Sequence, residues 1–192
     1  MQADRFTIKS QEAVAAAQRL AAQRRNPEVL CEHLLVALLE QEDGFAPAAL
    51  RKLSADVAQI TSRANQAVDA LPTVSGAADS GEGPAVGRPL IAAIQRAEQE
   101  MTAFGDEYIS VGHLLLALAD DDASTHDLLP DRASLAKAVM ETQGSSRVTS
   151  PNAEEMAEAL EKFGRDLTAD ARQNKLDPVI GRDEEILSLI HI

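Results

Sequence analysis

The sequence has very few aromatic side chains and a single cysteine. Of its 192 residues, four are Phe, one is Tyr and none is Trp. A core without aromatics has to consist of aliphatic side chains packed between closely spaced helices, and the abundant alanine and leucine favour an all-α fold. The lone Cys31 excludes an internal disulfide, which is typical of a protein from a reducing compartment.

Basic residues are too few for a protein that holds a nucleic acid backbone. Eighteen Lys and Arg stand against 31 Asp and Glu, a formal net charge of -13, and no basic cluster is interleaved with aromatic residues. Long hydrophobic runs are also missing, since none approaches the roughly 20 residues that cross a bilayer. The first residues lack the pattern of a signal peptide. We therefore expect a cytoplasmic protein that binds neither nucleic acid nor membrane.

Motifs for phosphate and metal binding are absent as well. No Gly-x-x-x-x-Gly-Lys-Ser/Thr loop occurs, so we expect no ATP hydrolysis, no cofactor and no metal in this chain. Neither His33 nor His113 has a second His, Cys or paired carboxylate on its helix at the spacing of metal ligands. We interpret each histidine as closing the first turn of a buried helix. Cys31 is interpreted as a small buried residue rather than a nucleophile. The acidic runs at 120–122 and 183–185 could hold a cation, but a solvated surface is favoured.

A repeat organises what is present. The segment EHLLVALL, which contains His33, returns as GHLLLALA, which contains His113, and the offset between the two copies is that between these histidines. In both copies a His precedes an apolar run with no polar side, which predicts a helix buried all round. Such a helix needs other helices to cover it. We therefore predict two pseudo-symmetric repeats that form one helical bundle.

Amphipathic periodicity predicts the covering helices. Thr7 is expected to cap the first helix of the first repeat, and Ser110 the buried helix of the second repeat. The repeats are predicted at residues 1–72 and 87–142, which together give a domain over residues 1–142. The segment between them, 73–86, is rich in Gly, Pro, Ser and Ala and is predicted to be a flexible connection.

Beyond the repeats the sequence pattern changes. Residues 143–152 are predicted to be a linker, and residues 153–176 to contain linker helices. Residues 177–186 combine a loop-like segment with an acidic helix start, which we interpret as the beginning of another domain. The last six residues, 187–192 (LSLIHI), match the translation of CTG TCT CTT ATA CAC ATC, a transposon end used in preparing sequencing libraries. We interpret them as a sequencing artefact.

Two motifs resemble the Clp ATPase family. The duplicated His-Leu-Leu-x-Ala-Leu unit is similar to that of the Clp N-terminal domain. LEKFGRDLT at 160–168, followed by KLDPVIGRDEEI at 175–186, resembles the entry to the first AAA+ domain. The opening DRFT at 4–7 favours a ClpB-type disaggregase over the ClpC and ClpA unfoldases that partner a protease.

The resemblance implies a module that binds unfolded or aggregated polypeptide during heat stress and protein refolding, truncated before its P-loop. The alternative is an adaptor- or substrate-docking module of a ClpC/ClpA-type unfoldase. The full-length parent would be an ATPase with ATP and Mg²⁺, a homohexamer that cooperates with a DnaK-type chaperone. In that parent Val179, Ile180 and Gly181 would contact the adenine. This chain alone is expected to be monomeric and not an enzyme.

The resemblance also implies a substrate-binding surface. Thr7 and Asp106 match functional positions of the family, whereas the glutamate expected near the start of the second buried helix is Gly112 here. Thr7 as a simple N-cap and Asp106 as a simple turn residue remain alternatives. The apolar candidates for lining a groove, with core packing as their alternative, are Leu90, Ile94 and Tyr108.

Overall fold

A computed structural model describes residues 3–41, 44–74, 83–144, 147–156 and 167–172. The chain divides into two units, Met1–Glu158 and Ala159–Ile192, and the described part of the second unit is one short helix. The described residues are mainly helical, which confirms the predicted all-α fold. In chain order the elements are α1 Ile8–Gln23, β1 Glu28–Val29, α2 Cys31–Leu39, α3 Phe45–Lys52, α4 Val57–Asp69, β2 Ala85–Val86, α5 Arg88–Phe104, α6 Val111–Leu118, α7 Arg132–Gln143 and α8 Leu167–Arg172, with 3-10 turns at Ala3–Arg5 and His126–Leu128.

Helices α2 and α6 form the centre of the first unit. Every residue of both helices is buried, and the two helices contact each other. Isolated helices of this length are not stable in water, so their stability comes from packing, at about 1.5–3 kcal/mol for each buried leucine. The prediction of a helix buried all round in each repeat is confirmed.

The first helix of each repeat covers the buried helix of the same repeat, and α7 packs on α3 as well as on α6. Helix α1 packs on α2 and α5 packs on α6, while α4 covers α2 and α7 covers α6. The buried face of α1 is formed mainly by alanines, and alanines at the same spacing contribute to that of α5. Small side chains let the helix axes approach closely, which is how a core almost without aromatics is filled. No helix among the described ranges is long and apolar enough to span a bilayer.

The two repeats exchange short segments at the starts of their first helices. β1 in the first repeat pairs in parallel with β2, the segment that leads into α5, with Val29 opposite Val86. The bridge between Phe6 and Ile109 is the equivalent pairing in the opposite direction, since Phe6 and Val86, like Val29 and Ile109, are related by the repeat offset. Each repeat therefore holds the start of the other repeat's first helix. The sequence did not predict these pairings, because two residues are too few to show a strand pattern.

The structure corrects two predicted boundaries. The connection predicted at 73–86 includes β2, so the ordered part of the second repeat begins before residue 87. The linker predicted at 143–152 includes residues that bond to the start of α1 and to the loop before α6, as the next section describes. Helix α8 and the helical residues 153–156 agree with the predicted linker helices. The ranges 75–82, 157–166 and 173–192 lie outside the described residues, and with them lie Val179, Ile180, Gly181 and the predicted artefact.

One prediction follows from the loops that lead into the buried helices. Arg25 and Gly105 occupy equivalent positions in the two repeats, and both have positive φ, 57° and 71°. Gly105→Ala should therefore destabilise the domain by about 1 kcal/mol, because a Cβ is disfavoured in this conformation. Arg25→Ala is the matched control and should leave stability nearly unchanged, since Arg25 already has a Cβ. Urea unfolding measures both, and equal effects of the two substitutions would contradict the account.

Candidate functional site

A histidine closes the first turn of each buried helix. In α6, His113 Nδ1 accepts a hydrogen bond from the Ser110 backbone N–H at 3.0 Å. In α2, His33 Nδ1 accepts from the Leu30 backbone N–H, also at 3.0 Å. Since Nδ1 is the acceptor, the proton of each neutral ring sits on Nε2. The interpretation of both histidines as structural closures of the first turn is confirmed.

The second ring nitrogen of each histidine faces the loop before its helix. His33 Nε2 lies 3.0 Å from Asn26 Oδ1, and His113 Nε2 lies 3.2 Å from Asp106 Oδ2. The latter contact is close but not aligned as a hydrogen bond. Asn26 and Asp106 are themselves related by the repeat offset. The neutral amide of the first repeat is therefore replaced by a carboxylate in the second.

Thr7 lies where the first helix of the first repeat meets the second repeat. Its hydroxyl oxygen accepts from the Ser10 N–H at 3.3 Å, so it is the predicted N-cap of α1. The same hydroxyl donates to Glu154 Oε2 at 2.5 Å. The other oxygen of this carboxylate, Oε1, accepts from the Val111 N–H at 2.6 Å, at the first residue of α6.

We use the name α6 cleft for the site formed by Thr7, Asp106, Ser110 and Val111. All four residues are buried. The structure thus brings the two predicted polar candidates, Thr7 and Asp106, to one site. Thr7 acts there as more than an N-cap, and Asp106 as more than a turn residue, because both side chains bond to a segment distant in sequence. Their role in binding substrate stays a prediction.

That distant segment is the chain after α7. Asp106 Oδ1 accepts from the Val148 N–H at 2.9 Å, and the Glu107 N–H donates to the Val148 carbonyl at 3.0 Å. Farther along, the Ile8 N–H donates to the Pro151 carbonyl at 2.8 Å. Main-chain groups of residues 148–151 are therefore held by the rim of the cleft, before Glu154 enters it.

The equivalent position in the first repeat is closed differently. By the repeat offset, Gly87 stands at the place of Thr7 and Leu30 at the place of Ser110. A Cβ on Gly87 would lie 2.5 Å from Leu30 Cδ2, so the leucine fills the space that the Thr7 side chain occupies at the other end. Leu30 also makes no side-chain cap bond to α2. The first repeat thus has an apolar plug where the second has a polar cleft.

Gly112 allows close packing beside the cleft. A Cβ at this position would lie 2.9 Å from Val139 Cγ1 and 3.1 Å from Phe45 Cε1. Helix α6 has no acidic residue in its first turn, whereas α2 has Glu32 there. The carboxylate at the start of α6 is therefore supplied by Glu154 rather than by the helix itself.

The apolar candidates do not line the cleft. Leu90 is 1% exposed and Ile94 is 9% exposed, and both belong to the core. The structure places these two residues in the core, which was the alternative to groove lining, because α5 packs against α6 and buries them. Their role in binding substrate stays a prediction. Tyr108 is half-buried in the loop before α6. It lies next in sequence to Glu107, whose main chain contacts residue 148.

Cys31 has the properties of an inert residue. Its side chain is fully buried, and burial is the main reason why the pKa of the thiol rises to about 11. The reactive thiolate is therefore scarce at neutral pH. Within the described parts of the chain, no group of three or more His, Cys, Asp and Glu side chains could hold a metal ion.

Sequence reasoning did not identify the partners of the cleft. Ser10, Val148 and Glu154 were not among the candidates, because nothing in their local pattern relates them to Thr7 or Asp106. Position-by-position comparison of the repeats would have given a signal. At the repeat offset, Leu30 becomes Ser110 and Gly87 corresponds to Thr7, so one end is apolar and the other polar.

The comparisons with known proteins agree on one kind of domain. A family model described as "Clp repeat (R) N-terminal domain" matches residues 5–147. "Chaperone protein ClpB 1" of Parasynechococcus marenigrum is 43% identical over 194 residues, which covers 99% of this chain and 22% of that protein. The chain spans about a fifth of the length of the curated relatives that it matches, since the next relatives give the same 22%.

Solved structures share the fold at lower sequence identity. The Hsp104 N-terminal domain from Candida albicans superposes with a TM-score of 0.68 at 20% identity, over 78% of this chain and 98% of that one. A complex of a ClpV N-domain with a VipB peptide has a TM-score of 0.51 at 19% identity, over 82% of this chain and 85% of that one. At these identities the likeness supports the fold alone.

A prediction concerns the packing around Gly112. Gly112→Ala should destabilise the domain by about 1 kcal/mol, because crowding against the buried Val139 outweighs the gain in helix propensity. Gly83→Ala is the matched control, since no atom lies within 4 Å of a Cβ there. Chemical denaturation of both variants measures the difference. A stabilised Gly112→Ala variant would show that the contacts with Phe45 and Val139 are looser than described.

A second prediction concerns pH. Burial lowers the pKa of both His33 and His113 below the usual 6.5, and it outweighs the Asp106 carboxylate beside His113. Below pH 6.5 the unfolded chain therefore binds more protons than the folded one, so the free energy of unfolding should fall as the pH drops from about 7 toward the folded-state pKa values. Protonation of Nδ1 would also remove the acceptor for the backbone N–H of the cap residue.

The test is thermal unfolding between pH 8 and pH 5.5. The double variant His33→Gln/His113→Gln keeps a side-chain acceptor in the first turn of each helix but does not titrate. Its melting temperature should depend less on pH over this range than that of the unmodified chain. If the melting temperature of the double variant depends on pH as strongly as that of the unmodified chain, titratable groups other than these two histidines cause the dependence.

Proposed function

Because the chain belongs to the Clp repeat N-terminal domain family, we propose that it is the substrate-recognition module of a ClpB-type protein disaggregase. In this role it binds unfolded or aggregated polypeptide and passes it to ATPase domains that lie elsewhere in the parent protein. The heat-stress response and protein refolding are the processes it would serve, in the cytoplasm. The similarity to ClpB chaperones over 99% of the chain supports this assignment.

The observation that carries the proposal is that the α6 cleft holds the main chain of the segment after α7. The Ile8 and Glu107 N–H groups and the Asp106 carboxylate all bond to main-chain atoms of residues 148–151. Contacts to the main chain are available from any polypeptide in an extended conformation. A site of this kind suits substrates that share an unfolded state rather than a sequence. The peptide bound to the ClpV N-domain provides a precedent within the same fold.

The parent protein supplies the remaining activities in this proposal. The chain has no P-loop, so hydrolysis of ATP with Mg²⁺ belongs to the AAA+ domains of the parent. Hexamer formation and cooperation with a DnaK-type chaperone are likewise proposed for the parent, while the chain alone is monomeric. The module contributes by capturing substrate close to the ring, where tethering raises its effective concentration.

The alternative function is docking of adaptors or substrates in a ClpC/ClpA-type unfoldase of an ATP-dependent protease. The shared fold leaves it open, because N-domains of Clp proteins other than ClpB have the same architecture. The two functions differ in ligand: a disaggregase module binds unfolded chains, whereas an adaptor-docking module binds a folded surface.

The experiment replaces the polar cleft by the apolar plug of the first repeat. Thr7→Gly/Ser110→Leu copies Gly87 and Leu30, a pair that the same fold already contains. Fluorescence anisotropy with labelled, reduced and carboxymethylated α-lactalbumin should show binding to the unmodified chain. Binding to the double variant should be about tenfold weaker, which corresponds to about 1.4 kcal/mol and to the loss of one or two hydrogen bonds.

The matched control is the reciprocal change, Leu30→Ser/Gly87→Thr, which should not weaken binding because it leaves the α6 cleft intact. Circular dichroism establishes that all variants are folded. The absence of binding to the folded, unmodified chain would contradict the proposed function. Equal binding by the Thr7→Gly/Ser110→Leu variant would place the substrate site elsewhere.

A further inference from the structure

We propose that residues 147–154 are a built-in ligand of the α6 cleft, and that the cleft prefers peptides carrying an Asp or Glu side chain at the position of Glu154. The proposal rests on the proposed function, since it assigns a substrate class and a mode of regulation to the same site. Substrate gains access when the built-in segment leaves the cleft.

Residues 147–154 occupy the cleft as a ligand would. Val148 is 4% exposed and Glu154 is 7% exposed, and the main chain between them bonds to Ile8. A cavity of about 60 Å³ remains beside the segment, lined partly by Phe45 and Ser110. A substrate segment therefore cannot enter while residues 147–154 are in place.

The cleft is built for a carboxylate. Val111 N–H is the first donor of α6, where the helix dipole favours negative charge. Glu154 uses one oxygen for this donor, at 2.6 Å, and the other for the buried hydroxyl of Thr7, at 2.5 Å. Thr7 and Val111 are each 0% exposed, so water does not compete for these bonds. An amide in place of the carboxylate would be neutral, so it would lose the favourable interaction of negative charge with the helix start.

Helix α6 has no carboxylate of its own in its first turn. Helix α2 has Glu32 in its first turn, but α6 has Gly112 at the equivalent position. The carboxylate at the start of α6 therefore comes from another segment, whether from residues 147–154 or from a substrate. The first repeat offers no such choice, since Leu30 closes the space above Gly87.

Tethering makes residues 147–154 compete with a free peptide for the α6 cleft. Residue 147 follows closely after α7, which ends at Gln143, so the segment is present at the high effective concentration of a short tether. A free peptide with the same contacts binds only the fraction of molecules whose cleft is open. If the cleft is open about one tenth of the time, releasing the segment should tighten binding about tenfold.

The experiment measures this release on the full chain. Glu154→Ala removes the carboxylate of the built-in segment, and Glu155→Ala, at the neighbouring and more exposed residue, is the matched control. The probe is a fluorescein-labelled peptide with the sequence of residues 147–156, RVTSPNAEEM. A second peptide carries the change Glu154→Gln.

By anisotropy, the Glu154→Ala chain should bind the first peptide about tenfold more tightly than the unmodified chain or the Glu155→Ala chain does. The Gln peptide should bind the Glu154→Ala chain about tenfold more weakly than the Glu peptide does. Equal affinities of the three chains would overturn the built-in ligand, and equal affinities of the two peptides would overturn the preference for a carboxylate. Should Glu154→Ala fail to fold, the nearly isosteric Glu154→Gln chain takes its place with the same expectations.

Unfolded α-lactalbumin, titrated in parallel, separates this proposal from the proposed function. If it binds the unmodified chain but the two peptides and three chains show no differences, the built-in ligand is wrong and the proposed function stands. If the peptides behave as expected but the unfolded protein binds none of the chains, the cleft serves only the chain's own segment. The proposed function then fails, and so does the assignment of an acidic substrate class, which rests on it.

Discussion

The structure depends on burying the N-terminal ends of two apolar helices, α2 and α6. Backbone N–H groups at a helix start have no partner within the helix, and a buried end cannot use water. His33 and His113 satisfy one of these groups in each repeat, because Nδ1 accepts the backbone N–H of the cap residue. The neutral histidines are therefore structural, and the central helices can be covered on every side while the cap residue before each first turn keeps its hydrogen bond.

Around this centre each repeat pairs with the segment that leads into the first helix of the other repeat. The two repeats differ where these segments reach the starts of α6 and α2. Phe6 pairs with Ile109 and Val86 with Val29, which brings Thr7 to the start of α6 and Gly87 to the start of α2. The first end is polar and accepts a carboxylate, whereas the second is closed by Leu30. One duplicated architecture thus gives a polar cleft that holds Glu154 at one end and an apolar packing contact at the other.

The sequence predicted those parts of the fold that local patterns determine. The repeated His and apolar run predicted α2 and α6, and Thr7 and Ser110 were recognised as N-caps. The exchange of strands was not predictable, because two-residue strands have no periodicity and their partners lie far apart in sequence. The same reason explains the site: the resemblance pointed to Thr7 and Asp106, but only the folded chain brings Val148 and Glu154 to them. Leu90 and Ile94 belong to an amphipathic stripe, and such a pattern fits residues that pack in the core as well as residues that line a groove.

The most direct test of the account is a titration of the ¹⁵N-labelled chain with unfolded α-lactalbumin, followed by the backbone amide signals in NMR spectra. The account predicts that the Ile8, Glu107 and Val111 amides shift, because their hydrogen-bond partners are exchanged for substrate groups. The amide of Gly87, at the equivalent end of the first repeat, should stay unchanged. Shifts at Gly87 without shifts at Ile8 and Val111 would contradict the claim that the α6 cleft is the polypeptide-binding site.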